Sequence, residues 1–243
     1  MNRIDRLARA IADDDVASVS EQLLQLAELE ITPETIERVF RAVTGSWILV
    51  QAAIFEAVEV LEHLLASKAF ASKPKAEAAL WRVCTRYYFC YYHDEEKAVY
   101  IARKLINHGV AVDARNGHGM TPLMLALRSA PKWSSSHSLV SLLIQSGANV
   151  NSVDLHGKQP IQYWMDAVNE HCGSMRLVQV STQSLETCGI LLVEAGAKTD
   201  VRRQWRGDSP LHVAVRFGMN RLVGILAPKT VKLDWRTMVA THH

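Results

Sequence analysis

A short pattern of residues occurs three times along this chain of 243 residues, and it limits the fold to a repeated pair of helices. Each copy has a turn followed by a helix that opens with a step of the Thr-Pro type. The three copies read VDARNGHGMTPLMLAL at 112–127, VNSVDLHGKQPIQYW at 150–164 and GDSPLHVAV at 207–215. A helix-ending phrase precedes each copy, at 105–110, 142–148 and 191–197. Such recurrence is typical of repeat proteins, in which each unit packs on its neighbours.

The residues that begin the first helix of each copy can be identified from the sequence. The hydroxyl of Thr121 can accept a hydrogen bond from the first turn of the helix, and Pro122 suits the first helical position because no N–H is needed there. Ser209 repeats the chemistry of Thr121, and a proline follows it as well. Gln159 is a poorer cap, so we expect the helix that follows it to begin less sharply.

Each second helix has an equally clear end. Gly109, Gly147 and Gly196 follow amphipathic segments, at the position where a left-handed residue stops a helix. Turns rich in Asn, Asp and Gly come next. The three glycines lie 38 and 49 residues apart, and this uneven spacing predicts loops inserted between helices at 130–138 and 169–184.

The turn, the Thr-Pro-Leu step and the Gly-Ala end together resemble the ankyrin repeat, whose unit has ~33 residues. The resemblance is clear over 105–226 and less regular over 1–104. It implies an all-α ankyrin-repeat solenoid of about five to six helix-turn-helix units, with degenerate N-terminal units and long inter-helix insertions. It also implies a protein that binds other proteins, as a scaffold, an adaptor or an inhibitor.

The N-terminal part repeats only the apolar spacing of the pattern. Residues 12–27 and 52–69 fit the second half of a unit, with inward positions at Leu23-Leu24 and at Val58, Val60, Leu61, Leu64 and Leu65. A chance alignment of Leu-rich helices is the alternative. We therefore predict degenerate units with a cap over 1–104, clear ankyrin repeats over 105–226, and a C-terminal cap or frayed tail over 227–243.

Charge and hydropathy narrow the possible functions. A net charge of +2 with interleaved acids and bases provides no basic stripe for nucleic acid. No apolar run reaches the ~18–20 residues that cross a bilayer, and the first residues do not read as a secretory signal. The four cysteines form no Cys-x-x-Cys pair, which favours free thiols in a reducing compartment. We expect a monomer of the cytoplasm or nucleus that binds neither nucleic acid nor membrane.

The sequence contains no catalytic motif and no metal-binding pattern of histidines. The resemblance implies that His212 braces its turn through hydrogen bonds. The acidic run at 13–15 is interpreted separately as a solvated helix end. We expect no cofactor and no metal, and we favour a binding protein over an enzyme. The alternative is a non-classical enzyme or small-molecule binder whose pocket is formed by the insertions at 130–138 and 169–184.

The resemblance implies that a partner binds the turn tips and the concave face of the first helices. Position by position, the candidate surface consists of Arg115, His118, Met120, Arg128, His156, Lys158, Tyr163, Asp166, Arg202, Arg203, Trp205, Arg206, Arg216 and Phe217. Trp205 is the expected anchor because Trp and Arg dominate binding hot spots. Alternatively, its ring folds back over the next helix. The arginines near Trp205 predict an acidic segment on the partner.

A dense aromatic run lies at 87–92. A helix cannot bury all of these rings on one face. They either fill the core between two repeats or contribute to the binding groove, and both interpretations stay open.

Overall fold

The computed structural model describes residues 3–27, 32–44, 47–66, 72–85, 95–130, 136–173, 182–202 and 207–229. Within these ranges the regular structure is helical, and the described residues contain no strand. The chain divides into two compact units, unit 1 over Met1–Ala114 and unit 2 over Arg115–His243. The prediction of an all-α fold is confirmed.

Six of the seven described helices of unit 1 pack in pairs. The helices are α1 (Arg3–Ala12), α2 (Val16–Ala27), α3 (Pro33–Thr44), α4 (Ile48–Ile54), α5 (Val58–Ala66), α6 (Lys73–Cys84) and α7 (Glu95–Asn107). The pairs are α1 with α2, α4 with α5, and α6 with α7, and α4 also packs on α1 and α6. The seventh helix, α3, packs on α1 and α4. Their shared core contains the fully buried side chains of Leu7, Leu49, Leu61 and Leu80.

Unit 2 has the same organisation with three further pairs. Its helices are α8 (Pro122–Ser129), α9 (Ser136–Gln145), α10 (Pro160–Gly173), α11 (Thr182–Glu194), α12 (Pro210–Arg216) and α13 (Asn220–Leu226), followed by a 3-10 turn at Ala227–Lys229. The first helices form one row, α8–α10–α12, and the second helices form another, α9–α11–α13. Trp164 lies between the rows, and its indole N–H donates to the carbonyl of Leu185 at 2.7 Å.

The predicted helix starts are confirmed. Thr121 Oγ1 accepts from the N–H of Met124 at 3.4 Å, and Ser209 Oγ accepts from the N–H of His212 at the same distance. Gln159 is the weaker cap, because its Oε1 is buried and has no hydrogen-bond partner among the described residues. Only the reverse bond forms there, from the N–H of Gln159 to Oε1 of Gln162 at 2.8 Å.

The predicted helix ends are confirmed as well. Gly109, Gly147 and Gly196 have φ angles of 94°, 91° and 88°, a region that glycine enters without steric cost. The N–H after each glycine reaches back to a carbonyl in the preceding helix, for example from Val110 to Leu105 at 3.2 Å. These bonds satisfy carbonyls that the end of a helix leaves unpaired.

The N-terminal predictions hold in part. Val60, Leu61, Leu64 and Leu65 are buried as predicted. The prediction for Leu24 is wrong, because its side chain is 62% exposed. Residues three and four apart share a helix face, and the buried face of α2 passes instead through its positions 19, 22 and 26.

The acidic run between α1 and α2 is not merely a solvated helix end. Asp15 caps α2, since its carboxylate accepts from the N–H of Ser18 at 3.0 Å and from the Ser18 hydroxyl at 2.6 Å. These bonds lower the pKa of Asp15. Asp14 reaches across to the start of α5 and accepts from the N–H of Val60 at 2.9 Å. The run therefore fixes two helix starts within unit 1.

Candidate partner-binding surface

Most of the residues predicted to bind a partner are exposed or partly exposed, two are buried, and three lie outside the described residues. We define the turn face as the turns at 115–120 and 153–158, residues 202 and 207–208, and the outward side chains of α8, α10 and α12. Exposed on it are Arg115, His118, Arg128, His156 and Arg202, and partly exposed are Lys158, Asp166 and Arg216. Phe217, directly after α12, is partly exposed as well. Met120 and Tyr163 are buried, at 4% and 7% exposure, and so offer little area to a partner. Arg203, Trp205 and Arg206 lie outside the described residues.

One side chain organises each of the first two turns. Asn116 Oδ1 accepts from the N–H groups of His118 and Met120, at 2.9 and 3.0 Å. In the next repeat, Asp154 Oδ1 accepts from the N–H groups of His156 and Lys158, both at 2.8 Å. The two tips therefore have the same local geometry and present His118 and His156 in equivalent positions.

The two tips are also bonded to each other. Arg115 donates from Nη1 to the carbonyl of Gly119 at 3.1 Å and to the carbonyl of Val153. The N–H of Leu155 donates to the carbonyl of His118 at 3.3 Å. The guanidinium of Arg115 is thus used within the protein, although the side chain is exposed.

Leu155, which the family pattern also places among the contact positions of this turn, belongs to the turn face. Its side chain is 73% exposed, and it stands where the preceding turn has Gly117. A large apolar residue therefore replaces a glycine at this turn tip.

A cluster of charged and aromatic groups lies behind the second turn. The hydroxyl of Tyr163 donates to Asp154 Oδ2 at 2.6 Å, and Lys158 lies 4.0 Å above the Tyr163 ring while pairing with Asp166. Burial, together with the nearby carboxylate of Asp154, raises the pKa of Tyr163. Burial alone would raise the pKa of Asp154, but the hydrogen bonds that it accepts outweigh burial and lower it. Tyr163 therefore stabilises the second turn through its hydrogen bond to Asp154.

The third repeat has an ion pair at the equivalent positions, with the charges exchanged. Arg216 donates two hydrogen bonds of 2.9 Å to the two carboxylate oxygens of Asp208, which is 4% exposed. Arg216 also donates to Asn169 Oδ1 on α10 at 3.3 Å. Lys158 and Asp166 occupy the places of Asp208 and Arg216 one repeat earlier. The positive charge of Arg216 is thus balanced from within its own repeat.

The comparisons with known proteins agree with the repeated helix pairs of the fold. Residues 49–154 match the family of ankyrin repeats, in three copies. The chain therefore contains ankyrin repeats, over residues 49–154. No curated protein sequence matches it significantly.

Solved ankyrin-repeat structures show the same fold. An ankyrin repeat domain from Acinetobacter baumannii AYE shares 21% identity at a TM-score of 0.61, with 91% of this chain and 95% of that chain covered. The ankyrin repeat domain of Bcl-3, described as a unique member of the IkappaB protein family, shares 19% identity at a TM-score of 0.54. That match covers 91% of this chain and 97% of the other.

His212 has the bracing role that the resemblance implied. Its Nδ1 lies 2.7 Å from the Ser209 hydroxyl and accepts from the N–H of Ser209 at 3.3 Å. Burial lowers the pKa of His212, and Asp208 acts against that shift. The imidazole is therefore neutral in the fold and belongs to the cap of α12.

Other predicted features lie wholly or partly beyond the described ranges. Residues 131–135 and 174–181, at the centre of the two insertions, are outside them, and so is most of the proposed pocket lining. The aromatic run at 87–92 is outside them too. Across the described ranges, no three His, Cys, Asp or Glu side chains are grouped to hold a metal. No helix in those ranges combines the length and apolar character needed to cross a membrane.

Proposed function

We propose that this ankyrin-repeat protein binds a protein partner through the turn face, as a scaffold, an adaptor or an inhibitor. Ankyrin repeats are generally protein–protein interaction modules, which supports the general class. The observation that carries the proposal is the pair of bonded turn tips, where exposed His118, Leu155 and His156 stand on backbones fixed by hydrogen bonds. A surface that is already ordered loses little conformational entropy on binding.

The chemistry of the turn tips fits a mixed apolar and polar contact. Leu155 supplies an apolar side chain at the tip, with half-exposed Val153 beside it. The two histidines supply hydrogen-bonding groups near Leu155, because the N–H of Leu155 donates to the carbonyl of His118 and His156 is the next residue in sequence. An apolar centre with polar groups around it is the usual composition of a binding hot spot.

We also propose that the bound segment of the partner is acidic. The described part of the turn face has more cationic side chains than carboxylates. It has five cations and four carboxylates: Arg115, Arg128, Lys158, Arg202 and Arg216, and Asp154, Asp166, Glu170 and Asp208. Arg128 and Arg202 are exposed, and they are the cations best placed for a partner. Replacing both by Glu is expected to slow association and to reduce its dependence on salt concentration.

The deciding experiment places a photo-crosslinking amino acid at position 155 and, in a matched variant, at position 194. Glu194 is an exposed residue at the end of α11, a helix that is not part of the turn face. We expect a specific protein adduct from position 155 that position 194 does not give. Equal adducts from both positions, or none specific to position 155, would contradict the assignment of the turn face.

The cellular setting completes the proposal. Cys84 and Cys188 are buried free thiols, which supports a reducing compartment such as the cytoplasm or nucleus. We propose that the protein acts there as a monomer. Fractionation of cells tests the compartment, and light scattering of the purified chain tests the monomeric state.

A further inference from the structure

An asparagine followed by glycine lies at the tip of the first turn of unit 2. Asn116 is partly exposed and Gly117 is exposed. The side-chain oxygen of Asn116 accepts two backbone hydrogen bonds, from the N–H of His118 at 2.9 Å and of Met120 at 3.0 Å. These bonds orient the side-chain amide toward the residues that follow Asn116 in sequence, the first of which is Gly117.

We propose that Asn116 is a site of spontaneous deamidation, and that the folded turn keeps the site reactive. In the first step the backbone nitrogen of Gly117 forms a bond to Cγ of Asn116. The bond from Cγ to Nδ2 breaks, and Nδ2 leaves as ammonia with the proton from Gly117. Water then opens the resulting succinimide at one of its two carbonyls. The products are aspartate at position 116 or its isomer, in which the backbone runs through the side-chain carbon.

The two hydrogen bonds to Asn116 support the first step. When the Gly117 nitrogen adds to Cγ, negative charge develops on Oδ1, and two aligned N–H donors stabilise such an oxyanion. The arrangement needs no reorganisation, because both donors already point at that oxygen in the folded turn. The turn therefore favours the charge that the reaction produces.

The attacking group is also accessible. Gly117 carries no side chain beside its nitrogen, and its N–H has no hydrogen-bond acceptor among the residues that the structure describes. A Cβ added to Gly117 would meet nothing within 4 Å. No packing contact or hydrogen bond of its own therefore shields the Gly117 nitrogen, although the bonds from Gly119 N–H to the Asn116 carbonyl at 2.8 Å and from Asn116 N–H to the Met120 carbonyl at 3.1 Å hold the backbone on either side.

The neighbouring repeat shows that an aspartate fits this place. Asp154 occupies the equivalent position and accepts the same two bonds, from the N–H groups of His156 and Lys158 at 2.8 Å. Conversion of Asn116 to aspartate would keep the turn and add one negative charge to the turn face, next to Arg115. The isomer lengthens the backbone by one atom and would break the match between the two tips.

Peptide mass spectrometry of the native protein, aged in mildly alkaline buffer, tests the proposal. The reference is the same chain aged while unfolded in guanidinium chloride. We expect the mass increase of an amide-to-acid conversion at Asn116 to accumulate at least as fast in the native protein as in the unfolded chain. A slower native rate would overturn the proposal, because the turn would then protect the amide.

Two variants check the chemistry and the fit of the product. Gly117→Ala adds only a methyl group into open space, so it is expected to preserve folding while slowing the conversion by crowding the nitrogen. An unchanged rate in this variant would exclude attack by that nitrogen. Asn116→Asp copies the main-chain-preserving product and is expected to keep the melting temperature of the parent. A clear fall in melting temperature would show that the turn rejects aspartate.

Discussion

At the scale of single residues, His212 links the cap of α12 to pH. The side chain is 8% exposed, and its Nδ1 must be free of a proton to accept from Ser209. Because burial lowers the pKa of His212 below the ordinary value of 6.5, the unfolded chain binds a proton more readily than the folded one. The neutral His212 therefore contributes fully to the free energy of unfolding above the ordinary histidine pKa. This contribution is lost as the pH falls through the lower pKa that His212 has in the folded protein.

The variant His212→Gln is expected to flatten this acid dependence. Gln162 occupies the same place in the preceding repeat, where its Oε1 accepts from the N–H of Gln159 at 2.8 Å, so Gln can keep the bond without titrating. Urea unfolding of both proteins at a series of pH values gives the two free-energy profiles. If the variant loses as much stability as the parent below the ordinary histidine pKa, other groups cause the acid loss.

Residue types at the turn tips were readable from sequence, but the directions of their side chains were not. Met120 and Tyr163 were predicted to face a partner, yet both are buried. Met120 packs with its Sδ 3.9 Å from the guanidinium of Arg128, and Tyr163 is drawn inward by Asp154. These contacts join residues eight or nine positions apart through the turn, so spacing within one helix does not reveal them.

At the scale of helices, Gly189 is needed for close packing in unit 2. A Cβ at this position of α11 would lie 2.7 Å from Leu222 Cδ2 and 2.8 Å from Cζ2 of the Trp164 ring. The ring is 1% exposed and bonded to Leu185, so it has little room to move. We expect Gly189→Ala to destabilise the protein, because overpacking costs about 1–3 kcal/mol and the gain in helix propensity is only about 1 kcal/mol.

Gly224→Ala is the matched control in α13. A Cβ there meets nothing within 4 Å, so only helix propensity changes, and the variant is expected to gain about 1 kcal/mol. Thermal and urea unfolding of the two variants measures the opposite signs. Stabilisation by both substitutions would mean that α11 can move away from Trp164.

The sequence pattern located helices well where the turns carry glycine and less well where they do not. Residues 52–69 were assigned to one half of a unit, but the chain turns at Phe55–Glu56 and separates α4 from α5. Glu56 has a φ of 55° and Asp14 a φ of 54°, a region that non-glycine residues seldom enter. The acidic run marks the helix end at Asp14, but at Glu56 the local sequence has no glycine and gives no sign of a turn.

Some helix starts also depend on residues distant in sequence. Trp47 and Met219 make no side-chain cap for α4 and α13. The cap of α4 comes from α3, where Glu37 accepts from the N–H of Ile48 at 3.2 Å. That of α13 comes from Glu186 on α11, which accepts from the N–H groups of Arg221 and Leu222 at 2.8 and 3.2 Å. Such bonds cannot be predicted from the residues next to each helix start, because the acceptor lies on another helix.

At the scale of the whole molecule, these borrowed caps connect one repeat to the next inside each unit. Asp14 lies between α1 and α2 and caps α5 in unit 1, while Glu186 on α11 caps α13 in unit 2. Removing a cap acceptor costs about 1 kcal/mol. Because a repeat contacts only its neighbours, the loss should be felt near the cap rather than throughout the chain.

We therefore expect Asp14→Ala to raise amide hydrogen exchange in α2 and α5, and Glu186→Ala to raise it in α11 and α13. The conservative variants Asp14→Asn and Glu186→Gln keep an acceptor oxygen at each site and should recover most of the protection. Hydrogen exchange followed by mass spectrometry resolves the helices separately. A uniform rise along the entire chain after either alanine substitution would mean that the protein opens as one cooperative body, because local loss of a cap would then be shared by every repeat.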